Sequence, residues 1–241
     1  MMGLLIAAQV TDNKDPDGLG RIKVKLLGYV TPPEVWARLL TPYATIAGGQ
    51  VFYPEVGDEV AVLRGAADNL EGMLILGSVH NGKQVPTYTN DDGDNITKRI
   101  RTKAGNDITF TDKAGEEAIS ITTKAGNTIV LNDKSDPNGL SIKNADGTVT
   151  VTMDKSGVSI TVAKGQPVTV KAAGDATVQS DMNVTVKGSA NVEVNAGANL
   201  TLKGAANTTL EAGAVLEVKG GAQVKVSAPM VELSGSLVKI N

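Results

Sequence analysis

The 241-residue chain contains no cysteine, which excludes disulfides, thiolate metal sites and thiol nucleophiles. It has one histidine, His80, so a multi-histidine metal centre or histidine relay within one chain is excluded. Aromatics are 3% of residues, and none follows Phe110. No stretch of about 18 apolar residues is present, so no membrane-spanning helix and no stable membrane anchoring are expected. Met1–Leu5 has no basic lead before its short apolar run, so no Sec signal is expected. Charge of one sign is also lacking. The 23 basic and 26 acidic residues leave a net charge of −3, which gives no reason to expect a nucleic-acid partner.

What is present changes along the chain. All seven aromatics lie between Tyr29 and Phe110, and six of nine prolines precede residue 90. Residues 1–95 carry a charge of −5, residues 96–163 of +1 and residues 164–241 of +1. The segment from Pro86 to Asn95 is turn-rich and acidic and reads as a linker. Three regions are expected: 1–85, 86–163 and 164–241.

The last region repeats. From Val168 the chain divides into octads, VTVKAAGD, ATVQSDMN, VTVKGSAN, VEVNAGAN, LTLKGAAN, TTLEAGAV, LEVKGGAQ and VKVSAPMV. The third position is aliphatic in all eight and the first in six. Two side chains separated by one residue share a face of an extended strand. The recurring glycines (Gly188, Gly197, Gly204, Gly213, Gly220) and Asn or Asp residues suggest corners with left-handed backbone. Each octad is therefore expected to be one strand and one corner. A strip this narrow, without large rings, must bury its aliphatics against other such strips. Three chains wound about one axis achieve this, with Val168, Val170, Val178, Val184, Val186, Val192, Val194, Leu200, Leu202, Leu210, Leu216, Val218, Val224 and Val226 as the trimer core. A single-chain solenoid of three octads per turn is the competing arrangement. Pro229 interrupts the phase, and Val231, Leu233, Leu237, Val238, Ile240 and Asn241 are expected to form a blunt cap-binding tip.

The middle region carries a looser pattern. Lys103-Ala104-Gly105-Asn106 recurs 21 residues later as Lys124-Ala125-Gly126-Asn127. Alternating apolar residues follow each, and further alternation at 119–121, 140–142, 149–151 and 158–162 predicts strands and hairpins that merge into the octads.

Residues 1–82 read as short strands at 4–10, 21–27, 35–39, 59–63 and 73–79, which suggests a small barrel of the OB type. Four blocks occur here: Asp15-Pro16-Asp17-Gly18-Leu19-Gly20-Arg21-Ile22-Lys23-Val24, Val35-Trp36-Ala37-Arg38, Phe52-Tyr53-Pro54-Glu55-Val56-Gly57-Asp58-Glu59-Val60, and Leu76-Gly77-Ser78-Val79-His80-Asn81-Gly82. In these blocks and their order the chain resembles phage baseplate central spikes and VgrG proteins. The Lys-Ala-Gly-Asn segments and valine-rich octads look like that family's neck and triangular β-helix. The fold class implied is all-β, an N-terminal OB-fold barrel followed by an intertwined trimeric triangular β-helix.

The resemblance implies a homotrimeric central spike of a contractile injection system, assembled in the bacterial cytoplasm into a phage tail or injection particle. Sheath contraction would drive it through the target envelope. A trimeric hub would seat the barrel, a PAAR-repeat protein would cap the tip, and effector cargo is a further partner. No fused hub domain precedes the barrel motif, and no lysozyme insert separates it from the helix. The hub is therefore expected to be a separate chain, and wall-cleaving activity is expected elsewhere. Members that sharpen themselves use a His-x-His iron site near the tip. No histidine follows His80, so a separate cap is favoured.

Individual features have ordinary readings. Asn13–Gly18 resembles the start of a calcium loop, but Val24 stands where the bidentate Glu belongs, so a plain turn is expected. His80 reads as a hairpin residue, and Asp91, Asp92 and Asp94 as a solvated linker. Trp36 reads as a barrel-core residue or an interface anchor rather than a nucleobase platform. No catalytic, cofactor-binding or metal residue is assigned. The main alternative function is a polysaccharide-degrading tail spike, which needs paired carboxylates and sugar-stacking rings. An acyltransferase solenoid needs period six and a catalytic histidine in the helical part, and both are absent. An OB-fold nucleic-acid binder is disfavoured by the −5 charge of the barrel region.

Overall fold

The computed structural model describes residues 4–64, 72–134 and 139–240. The described residues contain strands and no α-helix, and the chain divides into two units, Met1–Thr169 and Val170–Asn241. The first unit holds a barrel and a separate sheet.

The barrel is built from β1 (Leu4–Asp12), β2 (Arg21–Leu26), β3 (Glu34–Leu39), β6 (Glu59–Arg64) and β7 (Leu74–Ser78), closed in the order β1-β2-β3-β7-β6. The short hairpin β4 (Ala44–Thr45) and β5 (Gly48–Gly49) lies in the connection between β3 and β6. Neighbouring barrel strands are antiparallel except β3 and β7, which run parallel. Period-two alternation sends Ile6, Ala8, Val10, Ile22, Val24, Leu26, Val35, Ala37, Val60, Val62 and Ile75 inward, where they pack with Met73 into one core. The register of β1 shifts between Val10 and Asp12, and that of β6 on β7 between Ala61 and Val62. Such bulges bend and twist strands, which helps a small sheet close. The five strands expected from sequence all form, with ends within two residues of those read. Trp36 is not in the core: Val35 and Ala37 take the inward positions of β3, so its ring lies half-buried outside.

The turn before β2 is fixed by one ion pair. Asp15 accepts hydrogen bonds from the Arg21 Nε (2.9 Å) and Nη2 (2.8 Å), and from the backbone N–H groups of Asp17, Leu19 and Arg21. Arg21 also donates to Asp17 and lies 5.8 Å over the Trp36 ring. Gly20 has φ of +72°, and a Cβ there would sit 2.9 Å from the Tyr53 hydroxyl. Three of the four recognised blocks thus meet around one turn. The Asn13–Gly18 carboxylates are engaged by Arg21, as expected of a plain turn.

The second sheet of this unit is a seven-stranded antiparallel meander. It contains β8 (Thr97–Arg101), β9 (Asp107–Thr111), β10 (Ala118–Thr122), β11 (Thr128–Asn132), β12 (Gly139–Lys143), β13 (Val149–Asp154) and β14 (Gly157–Val162). The repeated Lys-Ala-Gly-Asn segments are equivalent turns. Gly105 and Gly126 have φ of +99° and +97°. Asn106 Oδ1 accepts from the Lys124 N–H and Asn127 Oδ1 from the Ala145 N–H, each at 3.0 Å. Each asparagine therefore ties its turn to the next turn on that edge.

The second unit differs from the sequence expectation in the conformation of its corners. Its described residues form no strand ladder within the chain. Among its described residues no glycine or asparagine adopts positive φ. At three positions glycine is required for space instead. An added Cβ would lie 2.6 Å from the carbonyl oxygens of Asn191 and Asn207 at Gly188 and Gly204, and closer still to that of Gln223 at Gly220.

Truncating Ile22, which is fully buried in the barrel, should cost about 2–5 kcal/mol through lost burial and a residual cavity. Ile22→Ala should lower the midpoint of the barrel's unfolding transition in calorimetry; an unchanged midpoint would contradict this core.

Candidate functional site

The two faces of the meander differ in chemistry. Cross-strand pairing aligns Ile100, Ile108, Ile121, Ile129, Ile142, Val151 and Ile160 in one row across all seven strands. A second row on the same face runs Lys98, Phe110, Ile119, Leu131, Leu140, Met153 and Val158. The other face carries mainly Thr, Ser, Asn and charged residues. Apart from Lys98 at one edge, this face is therefore apolar throughout, yet Ile100, Phe110, Ile119, Ile121, Leu131, Met153, Val158 and Ile160 are exposed in a single chain. A contiguous apolar surface of this kind marks an interaction site.

This face is not among the interface residues assigned from sequence. Its signal was the alternation at 108–110, 119–121, 129–131 and 140–142. What periodicity could not supply was the register that places these pairs side by side.

The polar face is anchored at its first turn. Asp107 is buried, and its carboxylate accepts from Arg99 Nε (2.5 Å), Arg101 Nη1 (2.9 Å) and the Thr109 hydroxyl (2.6 Å). These hydrogen bonds, the Arg99 one foremost, hold its carboxyl far below the ordinary carboxylate range. The bidentate Arg21 holds the Asp15 carboxyl far down in the same way. Beside Asp107 a cavity of about 530 Å³ is lined by residues including His80, Tyr88, Arg99, Arg101 and Lys103. Its cations are engaged: both arginines on Asp107, and Lys103 on Glu55 at 3.0 Å. His80 Nδ1 lies 3.0 Å from the Gln84 carbonyl oxygen, within the loop after β7. Among the described residues no group of three or more His, Asp or Glu is arranged to hold a metal.

In the second unit the fourteen octad residues assigned to a trimer core are between 54% and 87% exposed in a single chain. Of the assigned tip, Val231, Leu233, Leu237, Val238 and Ile240 are exposed, and Asn241 lies outside the described residues. The octad reading missed a longer period. Lysine recurs every sixteen residues at Lys171, Lys187, Lys203 and Lys219, and Gly188, Gly204 and Gly220 follow the last three. Those three glycines are the crowded ones, whereas Gly197 and Gly213 have open space. Two kinds of corner therefore alternate along the chain.

Comparison with known families bears directly on the first unit. Residues 6–80 match the type VI secretion system and phage-baseplate injector OB domain. Residues 98–161, which include nearly all of the meander, match the phage baseplate V C-terminal trimerisation domain. Together the two matches cover more than half of the chain. No curated protein matches it.

The pH dependence follows from Asp107. Its pKa is lowered on folding, so its contribution is present above the ordinary carboxylate value of about 3.9 and is lost as pH falls below it. The thermal midpoint should accordingly decline from about pH 4 downward. Asp107→Asn should lower the midpoint at pH 7 and flatten that acid limb; an acid limb identical to that of the parent would refute the role of Asp107.

Proposed function

The chain belongs to the phage-baseplate and VgrG spike family, and from that premise we propose that it is the non-enzymatic homotrimeric central spike of a contractile injection system. The observation that carries this reading is the apolar face of the meander within the trimerisation match. One copy leaves that face in water, and three copies can bury it against one another.

The dimensions fit. A five-residue strand spans roughly 17 Å, and a triangle of that side places each face about 5 Å from its axis, half the ~10 Å spacing of packed sheets. Three aliphatic faces then fill the interior with no water layer. The octads supply the same chemistry in a narrower form. Their first and third side chains, Val168 to Val226, form the seam of an intertwined triangular β-helix, and their backbone groups find ladder partners in the other two chains. This accounts for the lack of a ladder among the described octads of one chain.

The mechanism is mechanical. Axial load is shared among ladder hydrogen bonds and interlocked aliphatics, with no single hinge to yield. The barrel seats on a separate trimeric hub. The tip residues Val231, Leu233, Leu237, Val238, Ile240 and Asn241 dock a PAAR-repeat cap, and effector cargo travels with the assembly. The spike is assembled in the bacterial cytoplasm as part of a phage tail or injection particle and crosses the target envelope on sheath contraction. A polysaccharide-degrading tail spike finds no supporting observation. A glycosidase acid needs a raised pKa, and Asp15, Asp107, Glu116 and Asp146, held down by their hydrogen-bond partners, do not suit that role.

Light scattering of the purified chain should give a trimer mass. Val194→Asp or Leu202→Asp in the shaft, and Ile129→Asp in the meander, should weaken or abolish assembly, because three carboxylates would meet near one axis without partners. Glu193→Gln should leave mass and melting unchanged. A monomeric parent, or shaft variants with normal mass and stability, would overturn the inward placement.

A further inference from the structure

Sixteen consecutive uncharged residues, Leu39 to Pro54, run from the last residue of β3 through most of the connection to β6, in a chain that is 20% charged. It is an ordered arm. The β4–β5 hairpin pairs Ala44 with Gly49 and Thr45 with Gly48. It is closed by hydrogen bonds from the Gln50 N–H to the Tyr43 carbonyl (2.9 Å) and from the Thr41 hydroxyl to the Gln50 carbonyl (2.7 Å). Yet Tyr43, Ile46, Val51 and Phe52 are all exposed, and Ile46 at the hairpin tip is fully so, at 107%. A hairpin that orders its own backbone while presenting apolar side chains has the character of an interface element.

The arm's position selects its occupant. It leaves the barrel at the end of β3 and returns at the start of β6. The chain leaves β7 for the meander from this same end, since Val60 pairs with Ser78. Just past the arm, Glu55 forms an ion pair with Lys103, in the first turn of the meander, at 3.0 Å. The uncharged arm is thus tied to the start of the segment that matches the trimerisation domain.

We propose that the Leu39–Pro54 arm docks on a second copy of this chain, carrying the trimer interface from the meander up to the barrels. The inference rests on the trimer reading above. Docking is apolar and centres on Ile46 and Phe52, so each barrel is held by its neighbour as well as by its own linker.

The absence of native cysteine allows a direct test with single thiols. Ile46→Cys and Val30→Cys place them at two sites equally open in one chain, 107% and 105% exposed. Val30 lies in the β2–β3 loop, at the opposite end of the barrel. In the purified full-length trimer, without hub, Val30→Cys should react with a maleimide at the rate of a free cysteine peptide. Ile46→Cys should react about tenfold more slowly, or slower still. Adding Phe52→Asp to Ile46→Cys should restore the free rate while the mass remains that of a trimer. Free-rate labelling of Ile46→Cys in the trimer overturns the docking, as does protection that survives Phe52→Asp or arises only when hub is added. A monomeric mass would instead sink the trimer reading itself.

Discussion

Burial of the row from Ile100 to Ile160 requires more backbone than one chain provides. The meander is a single layer, and a sheet with one aliphatic face is stable only when something covers that face. The barrel does not cover it, because its own core is complete with twelve residues enclosed by five strands. The dependence on other copies is therefore built into the sequence at residue 98, well before the octads begin. From that dependence follow the scarcity of large rings beyond Phe110 and the dominance of Ile, Val and Leu. In the proposed trimer, three faces that meet near one axis would leave room for branched aliphatics but little for aromatic rings.

The barrel obeys a different rule, and its motif residues serve geometry rather than chemistry. Asp15, Arg21 and Trp36 form one stacked and hydrogen-bonded unit, and Gly20 leaves space for Tyr53. A reader searching the Asp-rich turn for a cation site finds its carboxylates already neutralised by Arg21. Asp107 repeats this logic in the meander, where two arginines and a threonine satisfy one buried carboxylate. Both acids are consumed in fixing turns at which a strand begins, and neither is available for proton transfer. Polar groups of this kind hold register, since slipping by one residue would turn an aliphatic face outward.

Much of this was legible in the sequence because the signals were local. Alternation gave the barrel strands to within two residues, and the Lys-Ala-Gly-Asn repeat marked two equivalent turns. What remained hidden depended on pairing. The aliphatic face of the meander became visible only when Ile108, Ile121, Ile129 and Ile142 were aligned by register. Trp36 read as a barrel-core residue or an interface anchor, and the parity of β3 gives the interior to Val35 and Ala37. The octad glycines looked like left-handed corners because glycine most often serves that purpose. At Gly188, Gly204 and Gly220 the actual constraint is the approach of a carbonyl oxygen three residues further on, and no propensity reports that distance. The sixteen-residue recurrence of lysine was present in the letters and was obscured by the stronger eight-residue beat of valine.

The sixteen-residue beat has a physical consequence in a three-chain assembly. If each octad occupies one layer, the three lysines of equivalent octads share a layer, and the next lysine layer lies two strand spacings away, about 9.6 Å. The intervening layers carry Gln179, Asn195 and Glu211 at the corresponding position. Like charges in adjacent layers would stand about 4.8 Å apart, at a separation where repulsion is weakly screened. Alternation doubles that distance to roughly one Debye length at physiological salt, and Glu211 places an anion between the cations of Lys203 and Lys219. A uniform octad would keep the aliphatic seam but stack lysine on lysine along the shaft. In the proposed shaft, doubling the period would keep the seam at eight residues and space the charge at sixteen, so the outer face would carry charge without like charges opposing the ladder.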